Sequence, residues 1–139
     1  MVAFALRWAV AAAITFPGVI SGPALAQDCA DPTQMGLDQC AGAAFKKSDA
    51  RLNQVYGQIA ARLSGDAATK AKLVAAQRAW IAFRDAECAF RAAGVEGGSI
   101  HSMTVTLCRK DVTDRRVTEL EPLLNCEEGD TSCPVPAAQ

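Results

Sequence analysis

The chain contains a single histidine, no Cys-x-x-Cys, no His-Glu-x-x-His, no Gly-x-Ser-x-Gly and no phosphate-cradling glycine loop. Those absences remove the common zinc, hydrolase and nucleotide sites, each of which needs such residues at fixed spacing. Excess charge is lacking too. The formal net charge is −1, and no basic stripe marks a nucleic-acid binder. After Ile20 no apolar run approaches the roughly 20 residues that a membrane span requires. No alternating strand pattern, internal repeat or second domain can be read. What remains is a short chain rich in alanine and other helix formers, with six cysteines.

The first residues, MVAFALRWAVAAAITFPGVISGPALAQ, hold one charge, Arg7, then an apolar run from Trp8 to Ile20 and the small residues Ala24-Leu25-Ala26. This is the pattern of a cleavable export signal, residues 1–26, with the cut expected after Ala26. Gln27 and Asp28 stand before Cys29 where lipidation needs small residues, so a lipid anchor is not expected. The mature chain is then periplasmic or secreted. It has 139 − 26 = 113 residues, one domain with a modest core, and 13 basic against 15 acidic side chains once Arg7 is removed.

All six cysteines, at 29, 40, 88, 108, 126 and 133, follow the signal. An even number in a small exported chain reads as a disulfide framework, for which about 15 connectivities exist.

The segment from Gln34 to Leu63 places apolar or small residues at 37, 41, 44, 45, 48, 52, 55, 59 and 63, one helical face, with Thr33 as its expected N-cap and Ser64-Gly65-Asp66 as its stop. A second helix is expected from Ala67 to Ala93. The glycine-containing loop Gly94 to Ser102 follows, then a third helix from Ser102 to Leu124 with Asp111–Arg115 and Arg115–Glu119 as i,i+4 pairs. The expected fold is an all-α bundle of three main helices, residues 27–124, with an acidic, proline-containing tail over 125–139. An antiparallel pair of second and third helices brings Cys88 near Cys108, the firmest pairing. Folding back of the first residues pairs Cys29 with Cys40, and a tail turn pairs Cys126 with Cys133.

AQRAWIAFRDAEC, Ala76 to Cys88, mixes aromatic, charged and sulfur side chains on one helix. At about 100° per residue from Trp80, Leu73, Arg84, Gln77, Cys88 and Ile81 fall between about +20° and +100°, and Glu87, Ala76, Phe83 and Phe90 between about −20° and −80°. That arc is the expected core face, with Ala75, Arg78, Ala82, Asp85, Ala86 and Ala89 opposite. A charge within it must be paired, since an orphaned buried charge costs about 3–5 kcal/mol. Arg84 and Glu87 are the expected i,i+3 pair, with Gln77 and Thr113 taking the remaining hydrogen bonds. This polar network reads as structural rather than as a binding pocket.

In order, Cys29, Cys40, Leu73-xxx-Gln77-xx-Trp80-xxx-Arg84-Asp85-xx-Cys88, Gly97-Gly98-Ser99-Ile100, Cys108, Thr113-xx-Arg116 and Glu119-Leu120 resemble the lysozyme inhibitor LprI-like family. The family was formerly a domain of unknown function in bacterial envelope proteins. The resemblance spans about Cys29 to Leu120 and adds Trp80 and Arg116 to the network. It implies a small secreted or periplasmic helical domain whose partner is lysozyme. The type that named the family is a lipoprotein, from which this chain departs, and Cys126 and Cys133 lie beyond the pattern.

No catalytic residue, metal or cofactor is expected. Asp85 and Glu87 diverge by about 200° on their helix and cannot flank one glycosidic bond. Glu127, Glu128 and Asp130 lack calcium-loop spacing and read as a solvated run. An inhibitor must therefore occlude the lysozyme cleft. The expected contact is the 94–102 loop, with Ser99 and His101 as hydrogen-bond donors and Glu96 toward basic residues of the rim. The plainer reading makes the loop an ordinary turn, in which Gly97 and Gly98 serve the backbone and Ser99 or Ser102 caps the third helix. The competing class is a non-inhibitory interaction or stress-response module that binds another envelope protein or a cell-wall fragment.

Overall fold

The computed structural model describes Cys29 and residues 31–138, so the expected export signal lies outside the described residues. Three helices and no strand are found among the described residues: α1, Gln34–Arg62; α2, Ala67–Ala92; and α3, His101–Leu120. Thr33 caps α1, its side chain accepting from the Gly36 amide at 3.1 Å, while Asp31 accepts from the Thr33 amide at 2.9 Å. A 3-10 turn, Leu63–Gly65, reverses the chain, and Asp66 caps α2 by accepting from the Thr69 amide at 2.9 Å.

The α-helical part of α3 ends at Leu120, four residues before the expected boundary, and gives way to a 3-10 turn, Glu121–Asn125. Pro122 accounts for the difference, because it has no amide to donate and its ring collides with the preceding helical turn.

α3 is the central helix, packed against both α1 and α2. The larger core cluster joins Leu52, Val55, Ile59 and Leu63 of α1 to Val117 and Leu120 of α3, and reaches into the tail through Cys126 and Val135. A smaller cluster joins Cys88 to Cys108 and Val112, and Trp80 packs against both. The tail is irregular, as its composition predicts, yet Val135 is only 3% exposed. Arg62 of α1 donates to the Leu124 carbonyl at 2.8 Å and helps hold the end of the 3-10 turn against α1.

The cysteines pair as 29–40, 88–108 and 126–133. The 88–108 link ties α2 to α3, with Cα atoms 5.5 Å apart, on either side of the loop between them.

The buried arc of α2 is rotated from the expected one. Cys88 and Ala92 are its buried residues, at about +80° and +120° from Trp80, whereas Phe83 and Phe90 are 57% and 78% exposed. The arc thus centres well to one side of Trp80. Burial of Cys88 in the 88–108 link turns that side of α2 toward α3, which carries the two phenylalanines outward.

Candidate functional site

Gln77, Trp80, Arg84, Glu87, Thr113 and Arg116 divide into parts that meet and parts that do not. Arg84 is drawn toward α1: its guanidinium lies 5.3 Å from the Trp80 ring and 5.5 Å from that of Phe45. It pairs with Asp85 at 3.0 Å and reaches Asp49 of α1 at 3.8 Å. Arg116 stands 5.8 Å from the Trp80 ring, donates weakly to Gln77 at 3.4 Å and pairs with Glu119 at 3.1 Å. Trp80 is therefore held by two guanidiniums, an arrangement favoured by the negative ring face and by partial exclusion of water.

The expected Arg84–Glu87 pair is not formed. Glu87 accepts from Arg91 at 2.7 Å, one helical turn onward. Arg84 is better served elsewhere, because α1 offers it an aromatic face and a second carboxylate. Thr113 is fully buried, but its hydroxyl makes no hydrogen bond to Arg84 or to any other group. The expected pairs of Arg115 are absent as well: Asp111 pairs with Lys110 at 3.2 Å, and Glu119 with Arg116. Phe45 and Asp49 were missed by sequence reasoning. Phe45 lies on the apolar stripe of α1 and could have been considered, whereas nothing local marks Asp49.

The connection between α2 and α3 is a short 3-10 turn, Ala93–Val95, followed by a tight reversal. The Gly98 amide donates to the Val95 carbonyl at 3.0 Å, and the His101 amide to the Gly98 carbonyl at 3.2 Å. Gly97 has φ +76°, in the left-handed region that a side chain disfavours, so this reversal needs its glycine. Glu96 and Ser99 are exposed and His101 is half-buried. The residue before α3 is Ile100, which supplies no side-chain cap. Neither serine caps the helix. Ser102 donates instead to Asp38 of α1 at 2.9 Å, pinning the start of α3 to that of α1. The first amides of α3 thus emerge beside the loop without a side-chain acceptor, with the positive end of the helix dipole behind them.

Asp85 pairs with Arg84 and with Arg109, the latter at 3.3 Å, and Glu87 pairs with Arg91. Among the described residues no three His, Cys, Asp or Glu side chains gather to hold a metal ion, and no helix is long and apolar enough to cross a membrane.

An uncharacterized protein of Rhizobium meliloti (strain 1021) is 34% identical over 136 residues, which is 86% of this chain and 98% of that protein. No solved structure matches. The model of the family described as lysozyme inhibitor LprI matches residues 26–120, from the last residue of the expected export signal to the last residue of α3. The chain belongs to the lysozyme inhibitor LprI family.

Proposed function

We propose that this protein is an exported, non-enzymatic inhibitor of lysozyme that works outside the cytoplasm by occluding the enzyme's cleft. The observation that carries the reading is the family match over residues 26–120. Three paired disulfides support export, since such links persist in oxidising compartments.

The loop from 94 to 102 is the contact surface in this reading. A lysozyme cleaves its glycan between two carboxyl groups. An occluding element must offer hydrogen-bond donors to that pair and must already be ordered, because ordering a loop on binding costs affinity. Ser99 is exposed, His101 stands at the first position of α3, and the Ser102 and Met103 amides, which no side chain caps, add donors and partial positive charge. Glu96, also exposed, suits basic residues of a cleft rim. The Cys88–Cys108 link and the Ser102–Asp38 hydrogen bond hold the base of the loop.

The test is lysis of a peptidoglycan suspension by c-type and g-type lysozymes, with the oxidised protein titrated in and a reduced sample as control. Saturable inhibition lost on reduction is expected. No inhibition of either enzyme at micromolar protein would sink the reading and favour an envelope interaction module. Inhibition that survives Ser99→Ala with His101→Ala would remove the loop from the mechanism while leaving the activity standing.

A further inference from the structure

α2 carries a second surface that the inhibitory reading does not use. Ala75, Ala79, Ala82, Phe83, Ala86 and Phe90 are all exposed and fall between about −60° and −160° from Trp80. The buried Cys88 and Ala92 lie on the opposite side of the helix. Phe90 and the alanines therefore face away from α1 and α3, and among the described residues no other element covers them, while Phe83 stands at the edge of the strip and also lines a groove with Val112, Arg115 and Glu119 of α3. It contains no carboxylate, and its one charge is Lys72, near its amino-terminal end. Alanine alone would be accounted for by helix propensity. Two exposed phenylalanines seven residues apart on the same strip are not, since a large apolar side chain gains nothing from water.

We propose that this strip is the interface of a reversible homodimer, in which α2 packs antiparallel on α2 of a second copy. Self-complementarity selects that occupant. With the two-fold axis between Ala82 and Phe83, Phe90 lies over the partner's Ala75, and Ala86 meets the partner's Ala79. Small residues then stand opposite large ones, and the alanines allow the helix axes to approach to about 8 Å.

Charge selects the direction. A parallel pair would set the two Lys72 ammonium groups side by side. The antiparallel pair carries each Lys72 to the carboxyl end of the opposite helix, beside the partner's Ala93, where the negative end of the helix dipole favours a cation.

The area sets the strength. A helix of 26 residues is about 39 Å long, and a face about 10 Å wide gives roughly 400 Å² from each protomer, or about 800 Å² in all. Stable complexes bury upward of about 1,200 Å², so the dimer is weak and depends on concentration. This inference does not rest on lysozyme inhibition and can fail without it.

The experiment is sedimentation velocity of the oxidised chain over roughly 5 to 500 micromolar, with helix content followed by circular dichroism. A monomer–dimer equilibrium is expected. Phe83→Glu with Phe90→Glu should weaken it by well over tenfold at unchanged helix content, because four aromatic rings leave the interface. Phe90→Lys and Ala75→Glu should each weaken it, and their combination should recover part of the loss, since only the antiparallel register brings the two positions together. A monomer throughout, or a dimer indifferent to the double glutamate variant, would overturn the proposal. A monomer in which that variant abolishes lysozyme inhibition would overturn it equally, by assigning the strip to the enzyme.

Discussion

Replacing Arg84 by alanine tests the physical account of the α2 network most directly. The Arg84 side chain is 12% exposed, and its guanidinium serves two rings and two carboxylates. Each ring contact is worth about 0.5–1 kcal/mol at the surface and up to about 2 when desolvated. The carboxylates add less: Asp85 and Asp49 are 41% and 43% exposed, and ion pairs of that kind contribute about 0–1 kcal/mol. Removal of Arg84 does not strand a buried charge, because Asp85 keeps Arg109 at 3.3 Å and reaches solvent. The penalty of about 3–5 kcal/mol for breaking a buried pair therefore does not apply. The sum is a loss of about 2–3 kcal/mol, or about 10–15 °C in melting temperature for a domain near 110 residues. Urea unfolding followed by the fluorescence of Trp80 would measure it. Arg84→Lys keeps the charge but lacks the planar group that stacks on both rings, and should recover less than half of the loss. A lysine variant as stable as the parent would refute the stacking argument. An alanine variant of full stability that lost inhibition would refute the structural role altogether.

Three further outcomes are expected. Replacing Cys88 and Cys108 together by alanine opens a link of sequence separation 20 and should cost about 3 kcal/mol by chain entropy, measured by denaturant unfolding; a loss under about 1 kcal/mol would contradict it. Thr113→Val removes a buried hydroxyl without a partner at almost constant volume and should raise stability by about 1 kcal/mol, against the usual direction of core substitutions. The carboxyls of Asp31, Asp66 and Asp130 are held below their ordinary value of 3.8, the first two chiefly by the amides of Thr33 and Thr69 and the third chiefly by the Ser132 hydroxyl. A depressed folded-state pKa stabilises above the unfolded value and ceases to as pH falls through the folded one, so the melting temperature should fall below about pH 4 and be insensitive to these groups near neutrality.

How much of this was legible in the sequence depended on contrast. α1 was readable because Leu52, Val55, Ile59 and Leu63 recur at helical spacing between polar neighbours, and those four form the α1 side of the core. Thr33 was readable as the cap of α1, whereas Asp66, read only as part of the stop that ends α1, also caps α2. Val135 was not readable. It lies between two prolines in a tail without periodicity, and its burial follows from the chain returning over α1 and α3.

α2 shows why phase is harder to read than existence. Its alanines surround the axis, so the pattern establishes a helix without saying which side is inward, and the aromatics then carry the decision. Trp80, Phe83 and Phe90 together suggest a core arc centred near Trp80. The Cys88–Cys108 link points to another, because a disulfide between neighbouring helices must lie between them, and Cys88 is about 80° from Trp80. With Cys88 inward, Ala92 follows it into the core and Arg84 meets Phe45 and Asp49 of α1. Glu87 is then left to Arg91, and Phe83 and Phe90 turn to solvent. Local hydrophobicity and the cross-link disagree about α2, and the cross-link prevails because it is a distance constraint, whereas an exposed phenylalanine costs only about 1.5–3 kcal/mol of unrealised burial. A second copy packed on that strip would recover part of that burial, so the misplaced phase and the proposed dimer have one physical origin.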